Sequence, residues 1–393
     1  MQTLLVVILV LVLVVVIIPF VLNLTGVTNF PLGSFGGASG SAGILRSTDG
    51  GQKWEGTYVS EDKKIKLPSQ ILTVVFHPTE ISTMYLGGKG SGLWKSINGG
   101  ASWKKVTDKA NVLLSNADVY KVAISRSNPQ IIYLAIFQTS RGRILRSDDG
   151  GSSFREIYFV PVARTIIFDV VVSDLNPDQT LLVTSQGGIV ETTNGGHSWH
   201  IVRWFTDGIQ KIVSNPATPS ELYILTAHQT IFKTVDGGAN WSDLTRNIQN
   251  TQQGTSASSS STSTVPFRYQ PPAYGLNPFF GGGGLAISAF LIDPHNFNIL
   301  YVGSTLGLHR SLDGGQTWQS LNILIPPSAL PVSAAAVHPF APGVLFAGAA
   351  NQLHRSDDNG TSWSFQELPT RSRIKDILIH PLQPQNMYIM LGR

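Results

Sequence analysis

The chain contains no cysteine. That excludes a disulfide framework, a thiolate zinc site, a cysteine nucleophile and a lipid-modified N-terminal cysteine. Charge is sparse, at 13% of residues, with a formal net charge of only +4. Disorder throughout is excluded as well, because 42% of the residues are hydrophobic. No basic stripe with interleaved aromatics occurs, so nucleic acid is not an expected partner. No metal-ligand set is assigned and no cofactor is expected.

What is present is a chain of 393 residues rich in Gly (39) and in Val and Ile. That mix suits many short buried strands joined by tight turns. One stretch differs from the rest. Residues 4–22 are all apolar, with Pro19 near the end. As a helix they would span about 28 Å, close to the hydrocarbon thickness of a bilayer. Met1, Gln2 and Thr3 carry no side-chain charge, and Val21-Leu22-Asn23-Leu24 is a poor cleavage site. Residues 1–24 are therefore expected to be a single-pass membrane anchor. Residues 25–42 would form a Gly/Ser-rich linker, and the remainder is expected on the extracytoplasmic side.

From residue 43 onward one octet recurs. Its copies begin at Ser47, Ser96, Ser147, Thr192, Thr234, Ser311 and Ser356. Each opens with a hydroxyl and carries an Asx residue two places on: Asp49, Asn98, Asp149, Asn194, Asp236, Asp313 and Asp358. Such side chains bond nearby backbone amides and fix a turn. A Gly pair follows, or Asn359-Gly360 in the last copy, and supplies the positive φ that tight hairpins need. An aromatic closes the octet. Each copy is thus read as a structural hairpin between two antiparallel strands.

The segments before each octet complete the pattern. A strand leads to a His-Pro or Asn-Pro turn, and a second strand carries an aromatic such as Tyr85, Tyr133 or Tyr388. A third strand enters the octet and a fourth leaves it. Four strands per repeat make one propeller blade. Six whole blades are expected at 73–106, 120–157, 167–202, 209–244, 285–321 and 332–368. The N-terminal part lacks strands one and two, and residues 374–391 supply them. The fold class is therefore all-β: a seven-bladed β-propeller over residues 43–393 with a split closing blade, plus the N-terminal helix.

Three groups of residues are candidates for function. Aligned on the second-strand aromatic, the innermost strands place Thr73, Lys121, Asp169, Lys211, Ala289, Ala334 and Asp376 at one position. Lys121, Asp169, Lys211 and Asp376 would line the channel, either as a self-neutralising wet wall or as a polar ligand floor. Loops opposite the octets carry Arg164, Arg203, Arg371, Arg373, Trp204 and Asp207. An insertion at 246–284 begins Ser/Thr/Gln-rich and should be disordered there. It then turns aromatic, with Phe267, Tyr269, Tyr274, Phe279 and Phe280, a candidate partner-docking arm. The residue before the octet is basic in six of the seven copies. Those six exceed the net charge, so the basic balance is attributed to a repeated structural position.

The octets resemble the Asp-box, or BNR repeat, found in sialidases, sortilin-type receptors, xyloglucan-degrading hydrolases and the photosystem II assembly factor family. The resemblance covers residues 43–393. The Arg-Ile-Pro of sialidases is absent, as are the second propeller of xyloglucanases and the Cys-rich module of sortilins. In architecture the chain is most similar to the assembly factors, though without their lipoprotein-type cysteine. That resemblance implies a non-enzymatic, membrane-held scaffold or assembly factor with a protein partner. The alternative is an exported glycan-active enzyme or glycan-binding module.

Overall fold

The computed structural model describes residues 43–57, 67–248 and 285–392. The expected membrane anchor at 1–24 and linker at 25–42 lie outside the described residues, as do all five aromatics of the insertion. Among the described residues no helix is long and apolar enough to cross a membrane.

The described chain forms seven four-stranded antiparallel sheets. Six are continuous in sequence. The first runs through Ile71–Phe76, Met84–Gly88, Gly92–Ser96 and Lys104–Lys105. The others span 118–159, 167–204, 209–243, 287–321 and 332–367, within two residues of the expected blades. Burial differs between the strands of a blade. Second strands such as Leu300–Ser304 and Leu345–Ala349 are buried throughout, whereas the outer strand His200–Trp204 is mostly exposed. Continuous apolar runs thus sit between neighbouring blades, where both faces are covered.

The seventh sheet is the split one. Ile44–Ser47 pairs with Met387–Gly392 on one side and Glu55–Thr57 on the other, and Arg373–Ile379 completes it. Ile44 and Leu45 face opposite neighbours. Ile44 packs with Ile71, Met84, Trp94 and Tyr388 of one interface, and Leu45 with Phe346, Leu353, Ile374 and Ile389 of the other. The ring therefore closes through core contacts, not through a covalent link. Fully burying each such side chain is worth about 1.5–3 kcal/mol.

The octets form the expected hairpins. In the third copy, Ser147 Oγ donates to Asp149 Oδ1 at 2.8 Å and accepts from the Gly151 amide at 2.8 Å. Asp149 in turn accepts from the amides of Ser152 and Ser153. Gly151 has φ +86°, and Asn359, in the last copy, has φ +60°. The closing aromatics at Trp54, Trp241, Trp318 and Trp363 return their indole N–H to the carbonyl of the second turn position. Neighbouring blades are tied at the same level. Tyr85 and Tyr388 donate to the Gly150 and Gly99 carbonyls of the next octet. Two of the basic residues before the octets do likewise, Lys233 to Gly314 and Arg310 to Asn359. Arg355 instead pairs with Asp357 of its own octet.

One boundary needs correction. Residues 246–248, assigned to the insertion from sequence, continue a helical turn, and Ile248 is fully buried against Tyr223 and Trp318.

Candidate functional site

The first and third strands of a blade run parallel, so the octets end up opposite the starts of the inner strands. At those starts the ladder is irregular in every blade. The register slips between Ile71 and Thr73, Val119 and Lys121, Ile167 and Asp169, and Ile209 and Lys211. It slips again between Ile287 and Ala289, Val332 and Ala334, and Ile374 and Asp376. A bulge re-aims side chains without ending the strand. Here it separates two rings: Leu72, Tyr120, Phe168, Gln210, Ser288, Ser333 and Lys375 at the bulge, and the channel position just beyond it.

At the channel position the structure brings together all four charges expected there. Lys121 Nζ lies 2.9 Å from Asp169 Oδ1 on the next blade, with side chains 36% and 5% exposed. Asp169 also accepts from the amides of Val170 and Ile212. This carboxylate raises the affinity of Lys121 for its proton. Lys211 Nζ donates to the Phe290 carbonyl at 2.8 Å, and Asp376 accepts from the amide of Ile377. Burial pushes Lys211 down and Asp376 up, and the two charges partly offset this for each other.

The bulge ring builds the channel mouth. A cavity of about 550 Å³ opens there. Its wall combines Ser69, Gln70, Ser288, Ser333, Arg373 and Lys375 with apolar Ile71, Ile374 and Leu391, and with Gly392. On another part of the ring Tyr120 and Phe168 meet edge to face, 5.6 Å between centroids. Arg373 reaches back to the carbonyls of Ala329 and Leu330, and Lys375 to that of Ile71. Burial lowers the Lys375 ammonium.

The remaining rim candidates stand apart from this cavity. Arg164, Arg203 and Arg371 are exposed, and Asp207 is engaged by His228 at 2.7 Å. The octet carboxylates and amides are occupied in their own turns on the opposite face. Among the described residues no group of three His, Asp or Glu side chains could hold a metal ion. Sequence reading missed Ser69, Gln70, Ser288, Ser333 and Lys375. Lys375 stands one residue from a charge that was found, and only the bulge gives it the mouth.

No family model matches the sequence. A xyloglucanase of Paenibacillus sp is 28% identical over 166 residues, 37% of this chain and 16% of that enzyme. Xyloglucanase Xgh74A of Acetivibrio thermocellus is 30% identical over 134 residues, 29% of this chain and 16% of the enzyme. The matching segment is thus a small part of these relatives' length. Among solved structures, the GH74 xyloglucanase of Xanthomonas campestris superposes with a TM-score of 0.60 at 16% identity. It covers 82% of this chain and 51% of the enzyme chain. YCF48 from Cyanidioschyzon merolae superposes with a TM-score of 0.59 at 15% identity, covering 82% of this chain and 95% of that one. YCF48 bound to D1 peptide gives 0.58. At such identities the chain shares with both groups the β-propeller fold.

Proposed function

We propose that this chain is a non-enzymatic propeller that binds a protein partner, acting as a scaffold or assembly factor. One observation carries the reading. The cavity at the channel mouth, on the face opposite the octets, is walled by two cations, hydroxyls and an amide together with Ile71, Ile374 and Leu391, with no Asp or Glu in its lining. Glycoside hydrolysis needs two carboxylates facing each other across an open groove. Of the channel carboxylates, Asp169 is occupied by Lys121 and two amides. Two likenesses support the same reading. A single propeller spans 95% of the YCF48 chain but only half of the GH74 enzyme. A YCF48 protein has been solved with a peptide bound. In this reading the octets are Asp boxes, residues 1–24 anchor the chain in a membrane, and the propeller is extracytoplasmic.

The glycan-active alternative draws on the 28% identity to a xyloglucanase. One experiment separates the two. Full-length protein is used to capture partners from detergent-solubilised membranes, and is incubated in parallel with xyloglucan. A specific protein partner is expected, with no release of reducing ends. Replacing residues 250–282 by a short Gly/Ser linker should leave folding intact and weaken the captured partner about tenfold or more, roughly 1.4 kcal/mol. Hydrolysis of xyloglucan, or no saturable protein partner, would overturn the proposal.

A further inference from the structure

The cavity at the channel mouth has an unbalanced chemistry. Arg373 and Lys375 both line it, and no carboxylate does. Neither cation is used up by its structural contacts. Arg373 spends one Nη2 nitrogen on the Ala329 and Leu330 carbonyls. A guanidinium has five N–H groups in a planar fork, so its Nε and Nη1 donors remain. Lys375 gives one of its three N–H groups to Ile71. These carbonyl contacts fix where both charges sit before any ligand arrives. Ser333 is also committed, since its hydroxyl donates to the Ile374 carbonyl. The hydroxyls of Ser69 and Ser288 and the amide of Gln70 complete the polar wall. Lys375 is exposed, and the neighbouring Asp376 carboxylate already offsets part of what desolvation costs its ammonium.

We propose that this cavity is a binding site for a small molecule that carries a carboxylate or comparable oxyanion on a polar body. The fork of Arg373 suits two parallel bonds to such an anion, with Lys375 as a second point charge. The volume of about 550 Å³ exceeds what a lone inorganic anion fills. The serine hydroxyls and Gln70 would therefore bond the body that bears the charge, and Ile71, Ile374 and Leu391 would pack under it. The site concerns a free small molecule, and it stands or falls independently of any protein partner.

The test uses the full chain, with three probes at fixed ionic strength: glucuronate, sulfate and glucose. Glucose has nearly the same body as glucuronate without the charge. Calorimetric titration is expected to give saturable binding of glucuronate and sulfate and none of glucose. Lys375→Met and Arg373→Gln should each weaken glucuronate by about tenfold or more. Lys104→Gln, on an exposed outer strand, should bind as the parent does. Because Arg373 also clamps the Ala329–Leu330 segment, melting temperatures are recorded for each variant. Lys375→Met, which leaves that clamp intact, decides if Arg373→Gln unfolds. No saturable binding of either anion would overturn the proposal. So would equal binding of glucose and glucuronate, or anion binding unchanged in Lys375→Met.

Discussion

Lys121 and Asp169 meet at 2.9 Å across the boundary between two blades, each just past a bulge near the start of its inner strand. The pair is not symmetric. Asp169 also receives the Ile212 amide of the following blade, so one carboxylate joins three blades. Lys121 is open to channel space. Asp169→Ala should therefore cost more than Lys121→Met, because it also leaves a buried N–H unpaired. Breaking a dry buried pair costs about 3–5 kcal/mol; water at Lys121 should reduce this to about 1–3 kcal/mol for Asp169→Ala. Denaturant unfolding of both variants measures the order, and the reverse order would contradict the geometry.

A second prediction concerns the octets. Ser147 Oγ is the acceptor for the buried Gly151 amide and the donor to Asp149. Ser147→Ala removes both bonds, and a longer one from the Asp149 amide, and leaves the Gly151 N–H without a partner. The expected loss is about 1–3 kcal/mol, with ligand binding on the opposite face unchanged. Equilibrium unfolding and glucuronate titration of the same variant read the two effects separately. The octet carboxylates also set acid resistance. Hydrogen bonds from Ser153 hold Asp149 down at about 2, and those from Ser362 hold Asp358 at about 2. Their contribution is present in full above the ordinary carboxylate value and is lost progressively as the pH falls from there through about 2.

Histidines set an earlier limit. His77, His338 and His380 each accept turn amides at Nδ1, from Glu80, Ala341 and Gln383 among others. That bond requires an unprotonated Nδ1. Burial lowers all three below 6.5, and lowers His309 and His354 inside the third strands of two adjacent blades. A folded value below the unfolded one means a contribution present in full above 6.5 and lost as pH falls through the folded values. The urea midpoint should drop between about pH 7.5 and about pH 5.5. His380→Asn, which keeps a side-chain acceptor but cannot titrate, should shrink that drop. A midpoint flat over this interval would refute the assignment.

The fold was legible because the octet states its own turn chemistry seven times over: hydroxyl, Asx, a glycine pair (Asn359-Gly360 in the last copy) and an aromatic. The split blade was legible because the strands missing before Ile44 are the ones present after Ile374. The channel charges followed from aligning one second-strand aromatic. The bulge was not legible. It arises where two strands pair out of step, and Leu72, Tyr120, Ser288 and Lys375 share no residue type that announces it. The close fit beside it was hidden for the same reason. Gly87 stands opposite Thr73, and a Cβ there would lie 2.5 Å from the Val119 carbonyl of the next blade.

That contact gives a fourth prediction. The obstacle at Gly87 is backbone, which cannot rotate away. Gly87→Ala should therefore destabilise by about 1–3 kcal/mol, as overpacking does, despite the gain in strand propensity. A neutral or stabilising effect in urea unfolding would show that the neighbouring inner strand shifts freely.

The last prediction concerns closure. Met387–Gly392 lies between Ile44–Ser47 and Arg373–Ile379, hydrogen-bonded to both. Further bonds cross the seam, among them those from the Gly50 amide to the Gln385 carbonyl, from the Leu391 amide to the Gly43 carbonyl and from Gln366 to the Gly51 carbonyl. Deleting residues 374–393 removes the two inner strands of the closing blade. It strips Ile44 and Leu45 of their neighbours and uncovers the facing interfaces at Ile71 and Phe346. Unpaired edges and apolar surface of this kind promote association. The truncated chain should aggregate or lose its cooperative melt. Because the ring closes without a covalent link, a synthetic peptide of residues 374–393 added during refolding should restore soluble monomer. A truncated chain that is monomeric, with an unchanged melting temperature, would mean that these strands do not hold the ring together.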